Sequence, residues 1–504
     1  MNNQFIPHIL STKLKSALLD YQANILLSDD ACNLTGGQIA ELITPIIQSL
    51  NSSTDSGDVI GIALPHGILQ VLTIIAIIIS DRIPIVYKEK DSFTMIDQNE
   101  MSLLITSLDD MRFSLISMNE KNFGVLKRVA SNKIKLETKI VKKQKTFHKL
   151  PSDVGMILYT SGSTGTAHGV MIPALGTVFL ANALQKEFAL NQQSTSTVIL
   201  PLSHTMCINT HFFPTILSGG NSYITPTLSD LNNVYRNILK SNGDNLALIS
   251  DLLPYLLQEK NIRNLPDALH VKILALSGGM ITNSDIKFAQ KLFPNAKIYK
   301  GYGLTEATRV AIMCTHNTSS NTPEDTGYRL LEDVEIQIRD GRNRLCKPGQ
   351  EGYIFIKSKT VMKGYYNEAT NVIDSKGFLK SGDMGFMSSE GRLFILGRSD
   401  GIIKINGERI SGTHIEEMAM NSEDVKKYYS DAVCLPVKTG GRNKAYLFLE
   451  SGDTELLSIE WLKKKLKQDL KRKFKVPIEI VEKKVFPRSD AGKILRKELY
   501  EILS

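Results

Sequence analysis

The longest apolar stretch of the chain, Ile68–Ile79 (ILQVLTIIAIII), runs for twelve residues. A bilayer-spanning helix needs about 20, so the pattern predicts a helix buried in a protein core. Over the first 300 residues short apolar, β-rich runs alternate with longer helical patterns, as at 156–159, 198–200, 246–249, 271–276 and 298–299. Such alternation predicts an α/β fold with layered and largely buried sheets. From Val334 the texture changes to short alternating segments, VEIQIRD, GYIFIKS and GRLFILG, punctuated by Gly and Pro. These predict a β-rich subdomain over 334–397. Near Gly397 the sequence GRSDGIIKINGERI opens a last segment with its own strand and helix patterns. We expect a large N-terminal domain over 1–397, a junction at 398–400 and a small α+β domain over 401–504. Within that last segment Leu462, Leu466, Leu470 and Phe474 recur every four residues, one apolar stripe of a helix.

Length and composition narrow this picture. At 504 residues the chain exceeds one ordinary domain of roughly 100 to 200 residues. With 42% hydrophobic and 22% charged residues it has the material for a sizeable core. The net charge of +8 is local: from Trp461 onward fourteen Lys and Arg face six Asp and Glu, and the rest of the chain is balanced. That basic tail reads either as a solvated helix face or as an electrostatic guide for an anionic partner. Without a recognition motif or interleaved aromatics it does not point to nucleic acid. Cys32, Cys207, Cys314, Cys346 and Cys434 are odd in number and widely spaced, which suits reduced thiols better than a disulfide framework or a zinc site. The histidines show no H-E-x-x-H spacing. The N-terminal MNNQFIPHIL lacks the pattern of a secretory signal, so a cytoplasmic protein without transmembrane segments is expected.

Candidate chemistry begins at 158–172, LYTSGSTGTAHGVMI. A strand-like run enters a loop of Thr160, Ser161, Gly162, Ser163, Thr164 and Gly165. Its small residues let backbone N–H groups approach an anion and its hydroxyls add donors. The loop lacks the Lys-Ser or Lys-Thr of a Walker motif. Alone, such a loop is equally an ordinary turn, and only further short runs along the chain separate the two.

Downstream stand Ser277-Gly278-Gly279, Gly301-Tyr302-Gly303-Leu304-Thr305-Glu306, Ser381-Gly382-Asp383, Gly397-Arg398-Ser399-Asp400, Lys404-x-x-Gly407 and Gly492-Lys493. In this order and at these spacings the chain resembles the acyl-activating (AMP-binding, ANL) superfamily, which includes acyl-CoA synthetases, aryl-CoA ligases, luciferase-like enzymes and peptide-synthetase adenylation domains. The resemblance implies an N-terminal adenylate-forming domain, a hinge at Asp400 and a mobile C-terminal domain carrying a catalytic lysine, Lys493. The loop 160–165 would hold phosphate, and Gly278 and Gly279 would form one wall of an adenine pocket. Tyr302 would stack on the base, and Gly303 would also contact the cofactor. Thr305 would donate to the α-phosphate, and Glu306 would hold the Mg²⁺ that ATP brings. Asp383 would accept the ribose hydroxyls, while Arg398, Lys404 and Gly407 would add cofactor contacts. From the residues alone, Thr305-Glu306 also fits a helix N-cap with a first-turn acid, and Asp383 a plain turn.

The sequence departs from the family at His168, where the phosphate loop usually continues to a lysine. Imidazole is shorter and largely neutral near pH 7, which weakens help to a departing pyrophosphate. In Pro201-Leu202-Ser203-His204 the histidine resembles the family residue near the substrate carboxylate, and 204–213 holds no acidic residue for an α-amino group. A plain carboxylic acid is therefore expected, with Met280, Ile281, Ala307 and Val310 lining its pocket by analogy. The resemblance implies an acid-thiol ligase that uses ATP and Mg²⁺, with coenzyme A as the favoured acceptor. The alternatives are a stand-alone enzyme loading the phosphopantetheine of an acyl carrier protein, and a noncatalytic adenylate-binding protein.

Overall fold

The computed structural model describes residues 9–87, 103–108, 135–139, 150–160, 167–225, 233–279, 281, 283–315, 327–369, 371–399, 401–405, 408–420, 422–439, 442–451, 460–474, 478–488 and 494–503. Of the candidate residues, Ser161, Gly162, Ser163, Thr164, Gly165, Met280, Asp400, Gly407, Gly492 and Lys493 lie outside the described residues, as does the side chain of Lys404.

Two mixed sheets organise the larger part of the chain. The nine-stranded one runs in the order Arg329–Leu330, Thr308–Thr315, Lys297–Leu304, Ile273–Ser277, Asn245–Ile249, Thr195–Val198, Asn221–Ile224, Ile25–Ser28, Asn33–Thr35. Its interior, from Lys297–Leu304 to Ile25–Ser28, is parallel throughout, and antiparallel strands close both edges. The six-stranded sheet runs Lys135–Lys139, Leu103–Leu108, Val59–Ala63, Ile83–Val86, Val154–Tyr159, Gly169–Pro173. This is the layered α/β architecture that the alternating pattern predicts. Strand 198–200 ends earlier than expected: Thr195–Val198 leaves the ladder at Val198, and Ile199 and Leu200 remain buried beyond it. Apolarity reports burial, not pairing, which is why the sequence pattern overran the strand.

Helix Ile68–Ile79 is buried at all twelve positions. It connects the parallel strands Val59–Ala63 and Ile83–Val86 and is covered by helices Ile9–Asp20 and Gly36–Ser53. Isoleucine costs a few tenths of a kcal/mol against alanine in a helix, whereas burying each such side chain stabilises by about 1.5–3 kcal/mol. Burial wins, and a β-branched run is helical here.

The expected β-rich region is a four-stranded antiparallel sheet, Glu335–Arg339, Gly352–Lys357, Leu379–Met387, Leu393–Arg398. Beyond it lie the hairpin Ile402–Ile405 and Glu408–Ser411, and a three-stranded sheet of Asp431–Thr439, Arg442–Glu450 and Ile478–Lys483. Helix Glu460–Phe474 presses Leu462, Leu466 and Leu470 into an apolar cluster with Ala445, Leu447, Leu449 and Ile478. Three of its lysines are engaged at home: Lys463 pairs with Glu482, Lys465 with Asp424 and Lys467 with Glu479. The solvated-face reading of the basic tail is thus the one these pairs favour. No helix among the described residues is long and apolar enough to cross a membrane, and the five cysteines are free thiols.

Candidate active site

The parallel strands of the nine-stranded sheet end on one edge, and the candidate residues collect there, as ligand sites do in open α/β sheets. Gly278 and Gly279 come directly after strand Ile273–Ser277, and Gly278 takes φ +108°, a conformation that side chains disfavour. Space is open beside Gly279, where a Cβ would meet only Asp251 Oδ1 at 3.9 Å. That bare backbone suits the flat face of a base.

One strand away, Tyr302 is nearly buried, 8% exposed, and its hydroxyl donates to Asp383 Oδ2 at 2.8 Å. Asp383 lies on Leu379–Met387 with Arg398 as its partner across the ladder. The Arg398 guanidinium stands 3.9 Å from Asp383 Oδ1. Ser381 accepts from the Asp383 backbone N–H at 3.0 Å and donates to the Ile354 carbonyl, which orients the carboxylate. Burial, then the Asp383 charge, pushes the Tyr302 phenol well above its usual range, so it remains a donor. Asp383 is a strand residue and not a turn residue; residues 81 apart in sequence form this pair.

Thr305 and Glu306 sit in the turn between Lys297–Leu304 and Thr308–Thr315, closed by the Ala307 N–H donating to the Leu304 carbonyl. They cap no helix. Gly303 lies across the same hairpin from Arg309. Glu306 is half-buried, and its Oε1 accepts from the Tyr365 hydroxyl at 3.0 Å. The second carboxylate oxygen is the type of hard donor that Mg²⁺ takes, so the residues present fit a magnesium-bound nucleotide. Burial, then Glu306, raises the Tyr365 phenol and keeps it protonated.

Thr160 and His168 clasp the stems of the Ser/Gly loop. The Thr160 N–H donates to the His168 carbonyl, and the His168 N–H to Thr160 Oγ1, both at 3.0 Å. The His168 ring packs against Tyr365 with centroids 5.1 Å apart, and its Nδ1 lies 2.6 Å from Glu368 Oε2. A continuous line of contacts, Glu368–His168–Tyr365–Glu306, therefore joins the base of the loop to the candidate metal carboxylate. Sequence reasoning passed over Tyr365 and Glu368. Their signal was the run G-Y-Y-N-E at 364–368, where Gly364 and Asn367 both take positive φ and turn the chain back toward the site.

His204 precedes the short helix Thr205–Cys207, its N–H bonded to the Pro201 carbonyl. Ile281, Ala307 and Val310 are buried in the main apolar core. From the C-terminal segment, the Ile494 N–H reaches Asp251 Oδ2 at 3.4 Å, beside Gly279.

The chain is similar to proteins of known kind. The 4-coumarate–CoA ligase-like 2 protein of Arabidopsis thaliana is 28% identical over 363 residues, 69% of this chain and 61% of that protein. Acyl-CoA synthetase 7 of Caenorhabditis elegans is 25% identical over 367 residues, 69% of this chain and 65% of that protein. The matched stretch thus spans less than two thirds of the length of these curated relatives. Among solved structures, the O-succinylbenzoate coenzyme A synthetase of Bacillus subtilis in complex with ATP and magnesium ion has the same fold, with a TM-score of 0.74 at 20% identity over 97% of this chain and 99% of that one. Residues 15–366 match the family model described as AMP-binding enzyme, well over half of the chain, and the chain belongs to that family.

Proposed function

We propose that this protein is an AMP-forming acid-thiol ligase: it joins a carboxylic acid to the α-phosphate of ATP with release of pyrophosphate, then passes the acyl group to coenzyme A. The observation that carries this reading is the convergence of Tyr302, Asp383 and Arg398 at the end of the large sheet where Gly279 leaves open space, with Glu306 held by Tyr365 near the same edge. Asp383 accepts the ribose hydroxyls while Tyr302 flanks the base. Thr160 to Gly165 and Thr305 donate to phosphate oxygens, and Glu306 holds the magnesium ion. His204 lies toward the acid. Lys493 offsets the charge between the attacking carboxylate and the α-phosphate. The carboxylate oxygen bonds to the α-phosphorus as the bond to pyrophosphate breaks; the coenzyme A sulfur then takes the acyl carbon and AMP leaves.

In this reading 1–397 forms the adenylate-forming domain and 401–504 a mobile domain that turns about Asp400 between the two half-reactions, carrying Lys404 and Gly407 with it. The free thiols are in keeping with a cytoplasmic enzyme. The direct test is carboxylate-dependent exchange of pyrophosphate into ATP, then thioester formation with coenzyme A. Exchange with no acid in a broad panel would refute the ligase. Exchange with acyl transfer only to a carrier protein would replace the acceptor.

Glu306→Gln keeps the size of the side chain and removes the charge facing the metal. It is expected to raise the Mg²⁺ concentration needed for half-maximal adenylation and to lower the rate; an unchanged Mg²⁺ titration removes Glu306 from the metal's coordination. Asp383→Ala is expected to weaken ATP binding, measured by calorimetry, because it removes the ribose acceptor and the partner of the Tyr302 hydroxyl.

His168→Lys supplies the usual cation of the family within reach of the same Glu368 carboxylate. Pyrophosphate release is expected to equal or exceed that of the unmodified protein. A clear loss would show that the imidazole, fixed between Tyr365 and Glu368, is adapted to this site.

A further inference from the structure

Arg309 is the second residue of strand Thr308–Thr315, three positions beyond Glu306, and is 3% exposed. Its Nη1 and Nη2 are buried with no hydrogen-bond partner among the described residues. Two other buried arginines of this chain are well supplied with acceptors. Arg82, also 3% exposed, donates to Thr54, Asn51 and the carbonyls of Leu50, Thr54 and Ser80. Arg339 donates to Asp374, Gln337 and Asn343. An ionised group taken out of water without a partner is strongly unfavourable. Burial pushes Arg309 down to about 10, so it is still cationic at neutral pH.

The surroundings are built around this cation. A Cβ on Gly301 would stand 2.5 Å from Arg309 Cζ and 2.7 and 2.8 Å from its terminal nitrogens, so the guanidinium lies across bare backbone that no other residue would supply. Gly301 immediately precedes Tyr302. Tyr328 packs on Tyr302 at 6.5 Å between centroids and lies near Arg309. His211 is near Arg309 as well, on the π-helical turn Ile208–Phe212 that comes after His204 and packs against strand Thr308–Thr315. Burial pushes the His211 imidazole down to about 4, and the Arg309 charge acts in the same direction, so His211 is neutral and adds no second cation. The strand that carries Arg309 therefore pairs with the strand of Tyr302 and packs against the segment that follows His204, where the proposed reaction places the acid.

Resting on that reading of the site, we propose that the acid activated here carries a second carboxylate, and that Arg309 is its counter-ion. The planar fork of the guanidinium matches a carboxylate through two parallel N–H···O bonds. One carboxylate of the substrate attacks ATP; the other neutralises Arg309 and sets the distance between the two ends of the acid. A monocarboxylic acid of the same length leaves the buried cation unpaired and is rejected for that reason.

The test uses the full chain with MgATP and matched pairs of acids: succinate with butyrate, glutarate with valerate, adipate with hexanoate, and phthalate with benzoate. In at least one pair the dicarboxylate is expected to exceed its partner by roughly 100-fold in kcat/KM for pyrophosphate release. In Arg309→Met that ratio is expected to fall by roughly 100-fold, and in Arg309→Lys, which keeps a charge without the fork, by less. Monocarboxylates equal to or better than dicarboxylates in every pair overturn the proposal, and that comparison needs no variant to fold. An equal drop for both acids in Arg309→Met overturns it as well. Thermal stabilisation by each acid in the presence of ATP separates this proposal from the ligase reading. If no acid releases pyrophosphate but a dicarboxylate selectively stabilises the unmodified protein and not Arg309→Met, the anion site stands and the ligase reading falls. Selective stabilisation by no dicarboxylate overturns the anion site whatever the activity.

Discussion

Lys493→Ala is expected to reduce adenylation by about 10²–10³-fold, the loss of roughly 2.7–4 kcal/mol that accompanies removal of one donor from a preorganised electrostatic site. Thiolysis of preformed acyl-AMP should be nearly spared, because the proposed charge role belongs to the first half-reaction alone. Lys493 itself lies outside the described residues, but its neighbour Ile494 forms a bridge with Arg488 and donates its N–H to Asp251, which borders Gly279. Ile494 itself is thereby held close to the end of strand Asn245–Ile249 in the large sheet. Single-turnover kinetics of each half-reaction distinguish the outcomes: equal loss in both would assign Lys493 a structural role.

Arg488→Met is expected to cost about 3–5 kcal/mol of stability, the usual consequence of leaving one member of a buried ion pair behind. The Arg488 side chain is 10% exposed and contacts Glu450 Oε2 at 2.8 Å and Asp431 Oδ2 at 3.1 Å; the Glu450 side chain is only 3% exposed. Its guanidinium also lies 5.0 Å above the ring of Tyr255, whose hydroxyl donates to the same Glu450. Methionine fills much of the space and removes the charge, so the loss reports chiefly the stranded carboxylate. Urea unfolding monitored by far-ultraviolet circular dichroism measures it. A change below about 1 kcal/mol would mean that water reaches Glu450 and that the pair is worth no more than a surface one. The double variant Arg488→Met with Glu450→Gln should recover part of the loss, since the second change removes the uncompensated charge.

Whatever depends on local periodicity or on contiguous residue types could be read without the fold. The buried helix Ile68–Ile79, the Leu462, Leu466 and Leu470 stripe and the antiparallel strands between 335 and 398 arise from patterns within one element. The ordered motifs from Thr160 to Glu306 and on to Asp383 and Arg398 were legible because each is a short run, and their order along the chain carried the family resemblance. Strand ends were not legible, as 198–200 shows, because a residue is buried by its neighbours in space whether or not its backbone joins a ladder.

The α/β class, the family and the candidate residues were thus written in the chain, since they rest on periodicity and on short ordered runs. Which of those residues meet is a matter of packing. Tyr302 joins Asp383 across 81 residues, and His168 reaches Glu368 across 200. Thr305 and Glu306 became a hairpin turn and not a helix start, because Thr308–Thr315 folds back onto Lys297–Leu304. Arg309 reads in sequence as one more basic residue. Burial against Gly301 without an acceptor makes it a candidate for substrate recognition, and burial is a property of the packed molecule: a lone cation costs little in water and a great deal out of it.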